Sequence, residues 1–197
     1  MKILIIGTAR SGTTTLTNAI ASTLNLKQII EPFNPNASYN LYNPYQKNVV
    51  LKTLINQHNS IEELWEFSKT FDKTILISRR DRIASWESEC NGISKCKEII
   101  ERNGYYDGFT VWHGTYIHNP SVMDIEYMDT VNQYIDLIIH FQKITNLPMI
   151  WYEDLYSTNF ELAKNTFESI GCGLNYNDAF EYMNPSKKYR KDSKVLM

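Results

Sequence analysis

Apolar and polar positions run along this chain in blocks whose lengths and periods predict alternating strands and helices. Residues 2–6 are a short, nearly unbroken apolar run that stops at Gly7, the pattern of a strand buried on both faces. Residues 12–24 predict a helix opening on a Gly/Thr-rich turn, residues 27–30 a short second strand, and residues 49–54 a third strand ending in a polar loop. Ser60-Ile61-Glu62-Glu63 has the capping-box order, a hydroxyl followed three residues later by Glu. Ile61, Leu64, Trp65 and Phe71 continue from it as a helical stripe. Residues 73–78 predict the next strand, and a helix follows from Arg82. Helical spacing returns at Tyr127, Val131, Tyr134, Ile138 and Phe141 within residues 126–145. Residues 148–152 predict the last strand, and Phe160, Ala163, Phe167 and Ile170 a final amphipathic helix. Alternating strands and helices predict an α/β chain with a mostly parallel central sheet flanked by helices in three layers. With no repeat, low-complexity tract or linker in the sequence, residues 1–197 are read as a single domain. Ligands of such sheets bind beyond the C-terminal ends of the strands. The chemistry-bearing motifs begin at those ends.

Composition narrows the classes. A formal net charge of −2 supplies no global basic field to draw in nucleic acid. The apolar start is too short for a signal peptide, and no later stretch approaches the ~18 apolar residues of a membrane helix. The expectation is a cytoplasmic protein with no nucleic-acid or membrane partner. Three cysteines, none in a Cys-x-x-Cys pair, read as reduced thiols rather than a metal site.

Gly7-Thr8-Ala9-Arg10-Ser11-Gly12-Thr13-Thr14 lies between a buried strand and a helix. In that context backbone N–H groups and a helix N-terminus face a phosphate, and the glycines let the backbone close on it. Both glycines and Thr14 fit the P-loop form G-x-x-x-x-G-K-[ST], but Thr13 stands where the lysine belongs. That lysine serves β- and γ-phosphates, so its absence suits a donor with a single 5′-phosphate, and Arg10 offers a cation elsewhere in the loop. Further on, the strand at 73–78 ends in Arg79, Arg80 and Arg82, within four residues, and a helix carrying Ser85 and Ser88 follows. Eight residues separate Arg80 from Ser88, a little over two helical turns, which lets one face present both.

Ala9-Arg10-Ser11-Gly12-Thr13-Thr14-Thr15-Leu16 resembles the 5′-phosphosulfate loop of sulfotransferases that use PAPS (3′-phosphoadenosine 5′-phosphosulfate), written P-[KR]-S-G-T-T-x-L. Ala9 replaces the family's proline. Arg80 and Ser88 resemble the family's 3′-phosphate pair, with Arg79, Arg82 and Ser85 as neighbours able to stand in. The Arg79–Ala84 stretch is most similar to the bacterial trehalose-type branch. Val50-Leu51-Lys52-Thr53 resembles the family's third strand, and Trp151-Tyr152-Glu153-Asp154-Leu155 a segment that is mainly structural. The resemblance runs from Lys2 to about Gly173 and is weakest between Asn91 and Asp124. It implies a P-loop-type domain, PAPS as donor and PAP as product. It also implies a donor site of Ala9, Arg10, Ser11, Gly12, Thr13, Thr14, Thr15, Arg80 and Ser88.

Sulfuryl transfer to a hydroxyl needs a general base. The resemblance carries that role to Glu31, in Glu31-Pro32-Phe33; Pro32 keeps Glu31 out of right-handed helical geometry. His113 is the rival base. Tyr105, Tyr106, Phe109, Trp112 and Tyr116 surround it in a stretch suited either to stacking on a sugar or aromatic acceptor or to covering the core. The basic Lys187–Lys191 segment matches the family's closing segment in position alone. By this reading the partner is a small-molecule or glycan acceptor, and no metal is expected, since no β,γ-phosphate bridge has to be neutralised. Two other readings stay open: a P-loop small-molecule or nucleotide kinase, and a nucleotide-binding protein without turnover.

Overall fold

A computed structural model describes residues 1–33, 43–103 and 122–183, with backbone only over 93–103 and 122–126. Its centre is a five-stranded sheet of order β2-β3-β1-β4-β5, all parallel. The strands are β1 (Lys2–Gly7), β2 (Lys27–Ile30), β3 (Val49–Leu54), β4 (Lys73–Ser78) and β5 (Met149–Trp151). Strand β1 lies between β3 and β4, with Gly7 opposite Leu54 on one side and Ile77 on the other. An unbroken apolar run is what that position requires, because both faces are covered.

The faces separate by parity. Ile3 and Ile5 point with Val50, Ile75 and Ile77 to the layer of α1 (Thr13–Leu24), α6 (Phe160–Glu168) and α7 (Tyr176–Met183). Leu4 and Ile6 point with Val49, Leu51 and Leu76 to α2 (Ile61–Ser68) and α4 (Val122–Thr145). Ile3, Leu4, Ile5 and Ile6 are all fully buried, each worth about 1.5–3 kcal/mol of transfer free energy. A third cluster of Trp86, Cys90, Val131 and Ile135 joins α3 (Arg82–Asn103) to α4. The fold is thus α/β in three layers.

Several boundaries differ from the sequence expectation. Gly12 is the N-cap of α1 rather than its first residue. The helix expected from 126 starts at Val122, and the last strand loses Tyr152 to α5 (Tyr152–Leu155), a single helical turn. The helix at 160 is not the final one, because α7 follows and packs on α1. Ser60 caps α2 as expected, its Oγ accepting from the Glu63 N–H at 3.1 Å. Among the described residues no helix is long and apolar enough to cross a membrane.

Candidate functional site

The loop after β1 is closed by its own residues. A Cβ at Gly7 would come within 2.2 Å of Thr13 Cγ2, so the loop can fold back onto α1 only with glycine there. Arg10 and Gly12 both take left-handed backbone, at φ 61° and 77°. Ser11 is fully buried, and its Oγ donates to the carbonyls of Thr8 (2.7 Å) and Ile77 (3.3 Å). The loop thereby uses the Ser11 hydroxyl to hold its own shape. Thr13, in the lysine slot, is buried, while Thr14 and Thr15 are half-buried. Gly12 gives α1 no side-chain cap, so the first-turn N–H groups keep their capacity for an anion. The Tyr156 hydroxyl donates to the Gly12 carbonyl at 2.8 Å and fixes the back of the loop.

Across from the loop, Asp81 caps α3 by accepting from the Ala84 N–H at 2.9 Å, which starts that helix just after β4. Ser85, Ser88 and Glu89 then fall on one face. The Arg10 Nε donates to Ser88 Oγ at 2.9 Å, joining the two sequence motifs across 78 residues. Arg80 and Ser88 are not joined directly. Arg80 makes a two-pronged pair with Asp154, both contacts at 2.6 Å, and lies 5.0 Å over the Trp151 ring. Glu153 accepts from the Arg80 and Asp81 backbone N–H groups at 3.1 Å. Arg79 stacks 4.2 Å over Tyr152, and its Nε is buried without a hydrogen-bond partner among the described residues. Arg82 turns away to Asp136 and Asn132 on α4. The segment at 151–155 therefore anchors the arginine turn.

Glu31 follows β2 with φ 49°, outside the right-handed helical region but in the left-handed one rather than the extended region that a place before Pro32 favours. One carboxylate oxygen pairs with Lys52 of β3, and the other accepts from Gln57 Nε2 at 2.9 Å. Gln57 Oε1 in turn accepts from Thr53 Oγ1 at 3.0 Å, and Thr53 Oγ1 lies 3.0 Å from His58 Nε2. Lys52 is 4% exposed. Burial lowers its pKa, and Glu31 works against that shift. The second carboxylate, Glu89, is held above the usual carboxylate range by burial, against the pull of Arg10. Its Oε2 is sealed from solvent and has no hydrogen-bond partner among the described residues.

Ala9 lines a small cavity of ≈ 10 Å³ together with Thr8, Ser85, Glu89 and Tyr127. Burial, with Glu89 nearby, pushes the Tyr127 phenol up to about 12. Lys52 and Glu89 carried no role in the sequence reading. A lysine inside the buried, mainly apolar Val49–Leu54 strand is a signal for the first, and the position beside Ser88 and four residues after Ser85 for the second. His113, the aromatic stretch around it and the 187–191 segment lie outside the described residues. No protein-family model matches the chain, and no curated protein matches it.

Proposed function

We propose that this chain is a sulfotransferase moving a sulfuryl group from PAPS to a hydroxyl of a carbohydrate or other small molecule. The observation that carries the reading is the contact between Arg10 and Ser88. It brings the loop cation to the second motif at the C-terminal edge of the sheet, where open α/β folds bind ligands. An uncapped helix start behind a Gly-containing turn suits a 5′-phosphate; the arginine turn with Ser88 carries donors of the type a 3′-phosphate needs, with Arg80 and Arg82 here paired to Asp154 and Asp136. Thr13 in place of lysine disfavours a nucleoside triphosphate.

When bound, PAPS supplies the sulfuryl group. Arg10 and the first-turn N–H groups of α1 oppose charge on the 5′-phosphate as the bond to it breaks. Glu31 takes the proton of the acceptor hydroxyl. Lys52 and Gln57 hold Glu31 at both oxygens and aim it.

Thermal-shift titrations test the reading. PAP at about 100 times its dissociation constant adds roughly 2.7 kcal/mol of stability, a readily measured rise in Tm. The expected result is a rise with PAP and none with ATP-Mg²⁺. A larger rise with ATP-Mg²⁺ would replace the sulfotransferase with a kinase.

A further inference from the structure

Four charged side chains meet at the loop. Arg10 comes from the loop itself, Lys52 from β3, Glu31 from the end of β2, and Glu89 from α3; each of the other three acts electrostatically on Glu89. Among the described residues, the Tyr127 and Tyr134 phenols of α4 line the same cavity as Glu89, and Tyr127 feels Glu89, Tyr134 and the Cys90 thiol of α3. With all four charges present the cluster sums to zero, so an anion entering the loop makes it net negative.

The two carboxylates are not equally able to lose charge. Glu31 is clamped by the Lys52 ammonium on one oxygen and the Gln57 amide on the other, and both contacts favour the carboxylate. Glu89 has only the pull of Arg10 and Lys52 against its burial: its Oε2 is buried and accepts no hydrogen bond from the described residues, and the side chain lines a cavity edged by Thr8 and Ala9 of the loop. A buried carboxylate beside a new negative charge is the group that takes a proton.

We propose that Glu89 is the proton-accepting residue of the anion site, a carboxylate that becomes a carboxylic acid as a phosphate-type anion fills the loop. The proton comes from solvent and bonds to a Glu89 oxygen. The acid so formed has a hydrogen to donate into the cavity where the carboxylate had none. Two carboxylates at one site thus divide the work, with Glu31 kept ionised and Glu89 neutralised when the loop is full. The inference rests on the anion-binding part of the reading above, not on the identity of the acceptor.

Proton uptake is measured by calorimetric titration of the full chain with PAP in buffers of different ionisation enthalpy. The range runs upward from about pH 7, above the ~6 at which a phosphate monoester itself takes up a proton. Inorganic sulfate, which carries no proton there, serves as a second probe by thermal shift. The expected result is proton uptake by the wild type and an affinity for both anions that weakens by up to about tenfold per pH unit as free Glu89 ionises. Glu89→Gln, the neutral isostere, should show neither the uptake nor that pH dependence. If Glu89→Gln does not fold, Glu89→Ala is expected to give the same flat profile. PAP binding without uptake, or uptake that survives in the Glu89 variant, overturns the proposal and leaves the donor site standing. No binding of either anion overturns both together.

Discussion

Under the proposed sulfuryl transfer, Glu31 is the residue on which binding and chemistry separate. A base acts on a proton in flight and need not touch the donor, so Glu31→Gln is expected to lower kcat by about 10²–10⁴-fold while PAP affinity stays nearly unchanged. The structure adds a condition to that measurement. Lys52 is buried against Glu31, and removing the charge of one partner of a buried pair costs about 3–5 kcal/mol because the other is left uncompensated. Turnover therefore has to be measured where circular dichroism shows the variant fully folded. His113→Ala is the comparison; near wild-type turnover in Glu31→Gln with collapse in His113→Ala would move the base to His113 and leave Glu31 as the counter-ion of Lys52. Neither partner's role was legible from spacing. Lys52 is a charge in a buried strand, but its partner is 21 residues away on a neighbouring segment, and only the parallel pairing of β2 with β3 brings them together.

Elements were more legible than contacts. Strands β1 to β4 begin at the residues expected, and in the three inner ones, β1, β3 and β4, the buried apolar runs Ile3–Ile6, Val49–Leu51 and Ile75–Ile77 mark the strand. Helix α7 was missed because it has only eight residues and its Tyr176, Ala179 and Met183 are mixed with Asn177, Asp178 and Glu181, just after the Gly171-Cys172-Gly173 turn. The single turn α5 was hidden by Trp151-Tyr152, which by composition continue the strand. The phosphate loop was legible as a motif, yet the sequence does not say that Tyr156 closes its far side. That contact makes Gly12 doubly constrained: its φ is 77°, and a Cβ would lie 2.4 Å from the Tyr156 ring. Gly12→Ala is expected to cost about 1–2 kcal/mol for left-handed backbone and roughly 1–3 kcal/mol more for overpacking. Urea denaturation measures the sum. In a Tyr156→Leu background the second part should vanish and the first remain. An equal penalty in both backgrounds would mean that the loop shifts away from Tyr156 and that only the backbone angle matters.

At the scale of the whole molecule, two half-hidden groups bend stability with pH in opposite directions. Burial presses the pKa of His58 below its ordinary value of 6.5, with Glu63 partly offsetting it. As pH falls through 6.5 the unfolded chain gains a proton that native His58 resists, so stability drops toward acid. Burial lifts Glu89 above its ordinary value of 4.5. Between that value and its native pKa the folded state binds more protons than the unfolded one, so stability falls as pH rises through this window. Burial also lowers the pKa of Lys52, with Glu31 working against that shift. Glu89→Gln removes the falling arm. Its Tm relative to wild type, measured by scanning calorimetry without ligand, is expected to rise with pH above about 5 until native Glu89 has ionised, because only the wild type is forced to ionise a carboxyl with a sealed oxygen. His58→Gln should flatten the acid side instead and leave the alkaline side as it is. A Glu89→Gln difference that is constant across the range would mean that native Glu89 titrates like an exposed carboxylate. The sealed oxygen beside the loop would then reach solvent readily in solution, and the charge balance of the anion site would not depend on it.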